Sequence, residues 1–167
     1  MSDKRPWFLA LRKNARTGLI SSFVILLLTS FQTTLCALPS DYTVEAGDVS
    51  VDTSIPDTLN VTASDHAIIS FNSFSIAQNE TVRFIQPSDD ASVLTRVTGG
   101  GPSIIAGSLF ANGELVLVHP AGIHFAQSAN IQVGSLIAST NDIQNAMYLN
   151  RQMTFEKQGF ALAAIFN

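Results

Sequence analysis

The sequence predicts an all-β chain and, within that class, favours a parallel β-helix, a solenoid of stacked coils. Between Gly99 and Thr140, short apolar runs alternate with turn residues. Runs this short and this rich in β-branched residues are typical of strands rather than helices. Several runs are apolar at consecutive positions, as at residues 115–118 and 136–138, which indicates strands covered on both faces. A sandwich or a barrel shares the same strand–turn rhythm, so these patterns leave both open.

The first 37 residues have the order of a secretory signal peptide. A basic stretch precedes the mostly apolar residues 19–28, and polar residues then lead to Leu35, Cys36 and Ala37. These are the n-, h- and c-regions of a signal. The apolar core is shorter than the roughly 20 residues that a spanning helix needs. We therefore predict that residues 1–37 are a cleaved signal peptide rather than a membrane anchor.

Charge is distributed unevenly along the 167 residues. The formal net charge is −4, but residues 1–37 carry +4, so the remaining residues carry −8. A body this acidic repels phosphate backbones, and we do not expect nucleic-acid binding. Cys36 is the sole cysteine, so the fold cannot depend on an intrachain disulfide.

Residues 38–66 alternate loosely between apolar and polar positions. Val49, Val51 and Ile55 fall on one side, with polar residues between them. A period of two predicts strands with one wet face. Pro39 and Pro56 bound the segment, and proline is excluded from the middle of a central strand.

Residues 67–98 hold three further predicted strands, at 68–71, 82–85 and 92–97. Each inward-facing side chain is worth roughly 1.5–3 kcal/mol when buried. Arg96 lies in an alternating run, which predicts a solvent-facing side chain. The side chains that we expect to point inward are Phe71, Phe74, Ile76, Val82 and Phe84.

A sharp turn is predicted at residues 119–122. Pro120 presets φ for the second position of a turn, and Gly122 suits the fourth. We expect the ring of His119 to bond a nearby backbone group. Beyond it, residues 141–167 begin with a polar turn, show weak helical or strand character at 143–155, and end in an apolar run with no polar cap.

Nine ordered blocks of sequence carry a family resemblance. They lie at residues 67–76, 78–80, 82–84, 86–87, 95–100, 107–109, 111–113, 118–123 and 138–143. Together they resemble the filamentous haemagglutinin-type secretion domain, also called the haemagglutination activity domain, of two-partner secretion exoproteins. The family usually carries Asn-Pro-Asn-Gly where this chain has His119, Pro120, Ala121 and Gly122. The proline and glycine of the bend are kept, and both asparagines are absent.

The resemblance implies a right-handed parallel β-helix. It implies that residues 38–66 are N-terminal cap strands and that residues 67–167 are the β-helix domain. Because the family normally continues with more coils, we expect this chain to be truncated after Asn167.

In function, the resemblance implies the N-terminal secretion-recognition domain of a large exoprotein. Such a domain is engaged by an outer-membrane β-barrel transporter and templates β-helix folding at the cell surface. The location implied is secreted, or the outer surface of a Gram-negative-type bacterium, reached through the periplasm. An adhesin module that binds host-cell glycans or proteins directly is the alternative. The residues that we expect to carry transporter recognition are Arg96, Val97, Thr98, Gly99, Gly100, Leu115, Val116, Leu117, Val118, His119, Pro120, Ala121 and Gly122.

No catalytic, metal or cofactor site is expected. His66, His119 and His124 are the only histidines, and their spacing suits neither a zinc finger nor a helical metal pair. The sequence lacks a Gly-x-Ser-x-Gly elbow. The glycines at 99–101 are not followed by the Lys-Ser/Thr of a phosphate loop. We therefore predict that the chain is not an enzyme.

Overall fold

A computed structural model describes residues 38–156 and the backbone of residues 165–166. It shows a parallel β-helix of about four coils, which confirms the predicted fold class. The predicted signal peptide, residues 1–37, lies outside the described residues. The elements are β1 (Ser40–Ala46), β2 (Val49–Asp52), β3 (Thr58–Ala63), β4 (Ala67–Ser73), β5 (Thr81–Ile85), β6 (Ser92–Val97), β7 (Ser103–Ile105), β8 (Ser108–Val118), β9 (Ile123–Phe125), β10 (Asn130–Ser139), α1 (Asn145–Leu149) and β11 (Ile165–Phe166).

Strands of successive coils stack in parallel on three faces. The first face contains β3, β5 and the first halves of β8 and β10, with Val61, Phe84 and Ala111 in register. The second face contains β4, β6 and the second halves of β8 and β10, with Ile69, Thr95 and Leu117 in register. The third face contains β7, β9 and β11. Each backbone ladder therefore joins one coil to the next.

The corner between the first two faces lies at Asn112 and Gly113. One continuous strand, β8, bends at this Asn-Gly pair. Asn112 Oδ1 accepts a hydrogen bond from the Gln86 backbone N–H at 2.7 Å. The Gln86 side chain donates to the carbonyls of Ala91 at 2.8 Å and Glu114 at 2.9 Å. Side-chain amides thus satisfy backbone groups where residues 86–91 leave the ladder.

Two antiparallel strands cover the start of the coil. β1 pairs with β4 on the second face, and β2 pairs with β3 on the first face. Strands laid antiparallel on a parallel stack blunt an edge that would otherwise be open to pairing. The predicted alternation holds for Val49 and Val51, which are half-buried, but is wrong for Ile55, which is 54% exposed because it follows the end of β2.

The inside of the coil is apolar. The five side chains predicted to face inward, Phe71, Phe74, Ile76, Val82 and Phe84, are each at most 1% exposed, so this prediction is confirmed. The ring of Phe74 meets the edge of Phe71 at 5.5 Å and stacks on Phe84 at 6.4 Å between centroids. These rings join neighbouring coils through the interior.

A second apolar cluster lies outside the coil, on the second face. Leu115 and Leu117 point inward from β8, whereas Val116 and Val118 point outward, and all four are buried. The outward side chains are covered by residues 142–156, here called the strap, which contain α1. The prediction that this run is covered on both faces is confirmed. Within the described residues, no helix has the length and apolar character needed to cross a membrane.

Candidate recognition site

The two segments predicted to carry recognition, 96–100 and 115–122, lie on adjacent coils. Arg96 pairs in register with Val118 across the ladder between β6 and β8. Beyond these strands, Gly99 and His119 meet where the second face passes into the third. The fold therefore brings the two segments together as one continuous patch.

Residues 119–122 form the predicted turn. The Gly122 N–H donates to the His119 carbonyl at 3.0 Å, which closes a four-residue turn with Pro120 in second place. Gly122 has a φ of 111°, a value that disfavours residues with a Cβ. The Gly122 carbonyl then accepts the Ser103 N–H at 2.9 Å. The predicted bend is confirmed, and it is bonded to the preceding coil.

His119 is buried at this corner and hydrogen-bonds to two neighbouring residues. Its ring is bonded on both sides, with Nδ1 2.7 Å from Ser103 Oγ and Nε2 3.2 Å from the Gly99 carbonyl oxygen. Because a carbonyl can only accept, Nε2 carries the hydrogen, and Nδ1 accepts from the Ser103 hydroxyl. Burial lowers the pKa of His119 and outweighs the Gly99 contact, which favours the charged ring. The predicted ring-to-backbone bond is confirmed.

Gly99 is required by close packing. A Cβ at this position would clash with the Asn72 carbonyl oxygen. The neighbouring Thr98 donates its N–H to the Phe71 carbonyl at 2.9 Å. This segment is thus pressed against the first coil, and Gly100 follows it into open space.

Arg96 does not face solvent, so that prediction is wrong. Its side chain is 12% exposed, because the strap lies over it. Nε donates to Asp142 Oδ1 at 2.7 Å, Nη1 donates to Glu45 Oε2 at 3.1 Å, and Nη2 donates to the Ile143 carbonyl. One guanidinium therefore joins the cap strand β1 to the strap.

Glu45 accepts further hydrogen bonds beside its ion pair with Arg96. Asn145 donates to its Oε2 at 2.8 Å, and Ser70 donates to its other carboxylate oxygen. Burial alone would raise the pKa of Glu45, but the bonds from Ser70 and Asn145 and the charge of Arg96 outweigh it and hold the pKa below its usual value. Glu45 is accordingly ionised at neutral pH.

Most of the predicted recognition residues are hidden in the folded domain. Thr98 and Gly100 are exposed, and Arg96, Gly99, Pro120 and Ala121 are half-buried. A partner of the folded domain would reach few of these side chains, and their contact with a transporter stays a prediction. The buried members are Val97, Leu115, Val116, Leu117, Val118, His119 and Gly122.

A polar cluster under the strap was not predicted. Tyr148 donates its hydroxyl to Ser92 Oγ at 2.8 Å, and Ser92 donates in turn to Glu114 at 2.9 Å. These residues and His66 line a cleft of about 140 Å³. Burial raises the pKa of Tyr148 to about 12. The described residues contain no group of three or more side chains able to hold a metal ion, and the cluster's bonds hold the strap in place.

Comparison with known proteins finds two relatives that have the same name. The chain is similar to a heme/hemopexin-binding protein of Haemophilus influenzae, 36% identical over 107 residues, which is 64% of this chain and 12% of that protein. It is also similar to the protein of the same name from strain ATCC 51907, 43% identical over 76 residues, which is 46% of this chain and 8% of that protein. The chain thus spans about a tenth of the length of these relatives.

A solved structure and a family model agree with them. The crystal structure of the HMW1 secretion domain from Haemophilus influenzae matches with a TM-score of 0.73 and 34% identity, covering 76% of this chain and 34% of that one. The family model described as the TPS secretion domain, where TPS stands for two-partner secretion, matches residues 39–162. The chain therefore belongs to the family of TPS secretion domains.

Proposed function

We propose that this chain is the export-recognition part of a longer exoprotein. A TPS secretion domain implies an outer-membrane β-barrel transporter as partner and passage through the periplasm to the cell surface. The proposal is supported by the family match over residues 39–162 and by the low share of each relative that the chain covers. The family is not an enzymatic one, and we assign the chain no catalysis.

Burial of the predicted site suggests when recognition happens. Leu115, Val116, Leu117 and Val118 are fully buried in the folded domain. The transporter therefore engages the chain before it folds, while this run is still accessible. An extended chain can add as a strand to the edge of a partner's sheet, where backbone bonds give affinity and side-chain pockets give selectivity. Folding at the surface then hides the run, which opposes rebinding and backward movement.

The fourth coil suggests how folding spreads. β10 pairs in parallel with β8 from Asn130 to Ser139, so it repeats the two-face path of the coil before it. Its apolar side chains, among them Ile131, Val133 and Leu136, pack against the core and are half-buried. A further coil can add to β10 by the same pairing, because solenoid units contact mainly their neighbours. We propose that the domain templates later coils in this way.

The adhesin alternative has less support. An exposed cluster of aromatic rings would suit a sugar, but Phe71, Phe74 and Phe84 are inside the coil, and Tyr42 is the aromatic side chain recorded as exposed among the described residues. Binding of the purified chain to a glycan array would favour the adhesin, whereas dependence of secretion on the transporter would favour the export domain.

The export proposal is tested by co-expressing the chain with its outer-membrane barrel and measuring release to the medium. The informative pair is Val116→Ser and Leu94→Ser, because both side chains are fully buried in the same cluster and the two residues are in register on adjacent coils. We expect Val116→Ser to reduce release more than Leu94→Ser, since residue 116 alone lies in the predicted recognition run. A second variant, Pro120→Ala with Gly122→Ala, tests the turn.

Three results would count against the proposal. Equal loss of release in the Val116 and Leu94 variants would reduce the run to a folding element. Undiminished release of the turn variant would remove the turn from recognition. Release of the unaltered chain without the barrel would contradict export by the transporter altogether.

A further inference from the structure

The strap, residues 142–156, leaves the fourth coil and returns across the second face to the beginning of the domain. Its apolar side chains Ile143 and Tyr148 belong to the cluster that contains Ile68, Leu94 and Val116, which come from three successive coils. Those three outward residues are in register and form one continuous apolar stripe. The strap thus covers a surface that every coil helps to build.

The polar contacts of the strap reach the cap and the first two coils. Asn145 bonds Glu45 of β1, Tyr148 bonds Ser92 of β6, and Arg151 lies 3.8 Å from Asp65. Arg96 holds Glu45 on one side and Asp142 on the other. The strap, which lies late in the described fold and precedes β11, is therefore bonded to the first part of the domain.

Sequence separation orders these contacts in time. The bond from Asn145 to Glu45 spans 100 residues, whereas the coil-to-coil bond from Gly113 to Gln86 spans 27. Closing a longer loop costs more chain entropy, and contacts at long separation form more slowly. The strap follows β10 along the chain, so its contacts with the stripe and the cap span these longer separations.

We propose that the strap is a latch that closes last and completes the domain. Coils form first and leave the stripe of Ile68, Leu94 and Val116 open to solvent. Closure of the strap then buries the stripe and fastens β1 to the end of the fourth coil through Arg96. This goes beyond the proposed function, because the latch is a property of the chain alone.

Pulsed hydrogen exchange during refolding of the full chain tests the order of events. The probes for the strap are the amides of Asp142 and Glu156, which bond each other across its ends, and the amide of Tyr148. We expect these amides to gain protection after those of β6 and β8. Protection of strap amides together with or before those strands would overturn the proposal.

Variants test the fastening in the native state. Because hydrogen bonds to charged groups are stronger than those between neutral groups, Arg96→Gln should lower exchange protection in the strap and β1 about tenfold or more and leave β5 and β9 unchanged. The control is Arg83→Gln, whose arginine is exposed on the first face and stacks on the Phe110 ring at 5.3 Å. Arg83→Gln should leave the exchange protection of the strap and of β1 unchanged.

An even loss of protection across the whole domain in Arg96→Gln, or no loss in the strap, would contradict a separable latch. If Arg96→Gln does not fold, Tyr148→Phe carries the same test, because it keeps the ring and removes the bond to Ser92. No transporter is present in these experiments, so their failure would leave the export proposal standing.

Discussion

The two halves of β8 belong to one strand and have opposite surroundings. In the first half, Leu109 and Ala111 are buried, while Ser108 and Phe110, which alternate with them, are half-buried on the outer side. In the second half, residues 115–118 are all buried. The interior of the coil is the same for both halves, so the difference is outside, where the strap covers the second face. In β8, the run of four consecutive apolar residues thus marks a strand with a second covering, not a deeper core.

The largest expected loss of stability comes from emptying the interior of the coil at the first face. Phe84→Ala empties a site between Phe74 and the neighbouring coils and should cost about 3–5 kcal/mol of unfolding free energy. Phe110→Ala, on the outer side of the same face, should cost less than about 1 kcal/mol. Urea unfolding monitored by circular dichroism measures both. Equal costs would break the distinction between inside and outside.

A hydroxyl added to the outer side should separate the two faces. Val116→Thr keeps the side-chain shape but places a hydroxyl under the strap, and it should cost about 1–3 kcal/mol. Ile85→Thr, at an exposed outward position of the first face, should change stability by no more than about 0.5 kcal/mol. The same unfolding experiment serves, and a small effect at residue 116 would mean that the strap does not seal this face.

Removing a buried hydroxyl, the opposite of the Val116→Thr change, should stabilise the domain. Thr95 Oγ1 is fully buried inside the second face and has no hydrogen-bond partner among the described residues. Thr95→Val removes the unsatisfied hydroxyl at nearly constant volume and should raise the unfolding free energy by about 1 kcal/mol. A lower melting temperature in this variant would show that the hydroxyl is satisfied in solution.

The smallest effect concerns the corner at which the second half of β8 ends. Burial holds the pKa of His119 below its ordinary 6.5. As pH falls through about 6.5, the unfolded chain takes up this proton before the folded domain does, so stability decreases until the folded ring is itself protonated. His119→Asn should remove this part of the pH dependence, measured as unfolding free energy between about pH 7 and 5. If the pH dependence of the unfolding free energy is the same in the variant, His119 is not its source.

Much of the coil could be predicted from the sequence. Period-two patterns placed Phe71, Val82 and Phe84 inside, because in a strand the alternation directly reports which side faces the core. The turn at Pro120 and Gly122 was equally predictable, since proline presets φ at the second position of a turn and glycine tolerates the positive φ that the fourth position adopts here. The motifs then identified the family.

The surroundings of the outer faces could not be predicted in the same way. Arg96 was expected in solvent because alternation gives the direction of a side chain and not what covers it. Its partners, Glu45 and Asp142, lie 51 and 46 residues away, at separations that no local pattern connects. The helix of the strap, α1, has five residues and buries one of them, Tyr148, which is too little for a periodic signal.

The central claim is that the folded coil conceals the run that we propose as the recognition site for the transporter. The most direct test is to titrate purified periplasmic domains of the transporter with the unaltered chain and with Phe84→Ala, which destabilises the coil but leaves the sequence of residues 115–118 intact. We expect the destabilised chain to bind about tenfold more tightly or better, since its run is accessible for a larger fraction of the time. Equal affinity for the two chains, or tighter binding of the folded one, would contradict the claim.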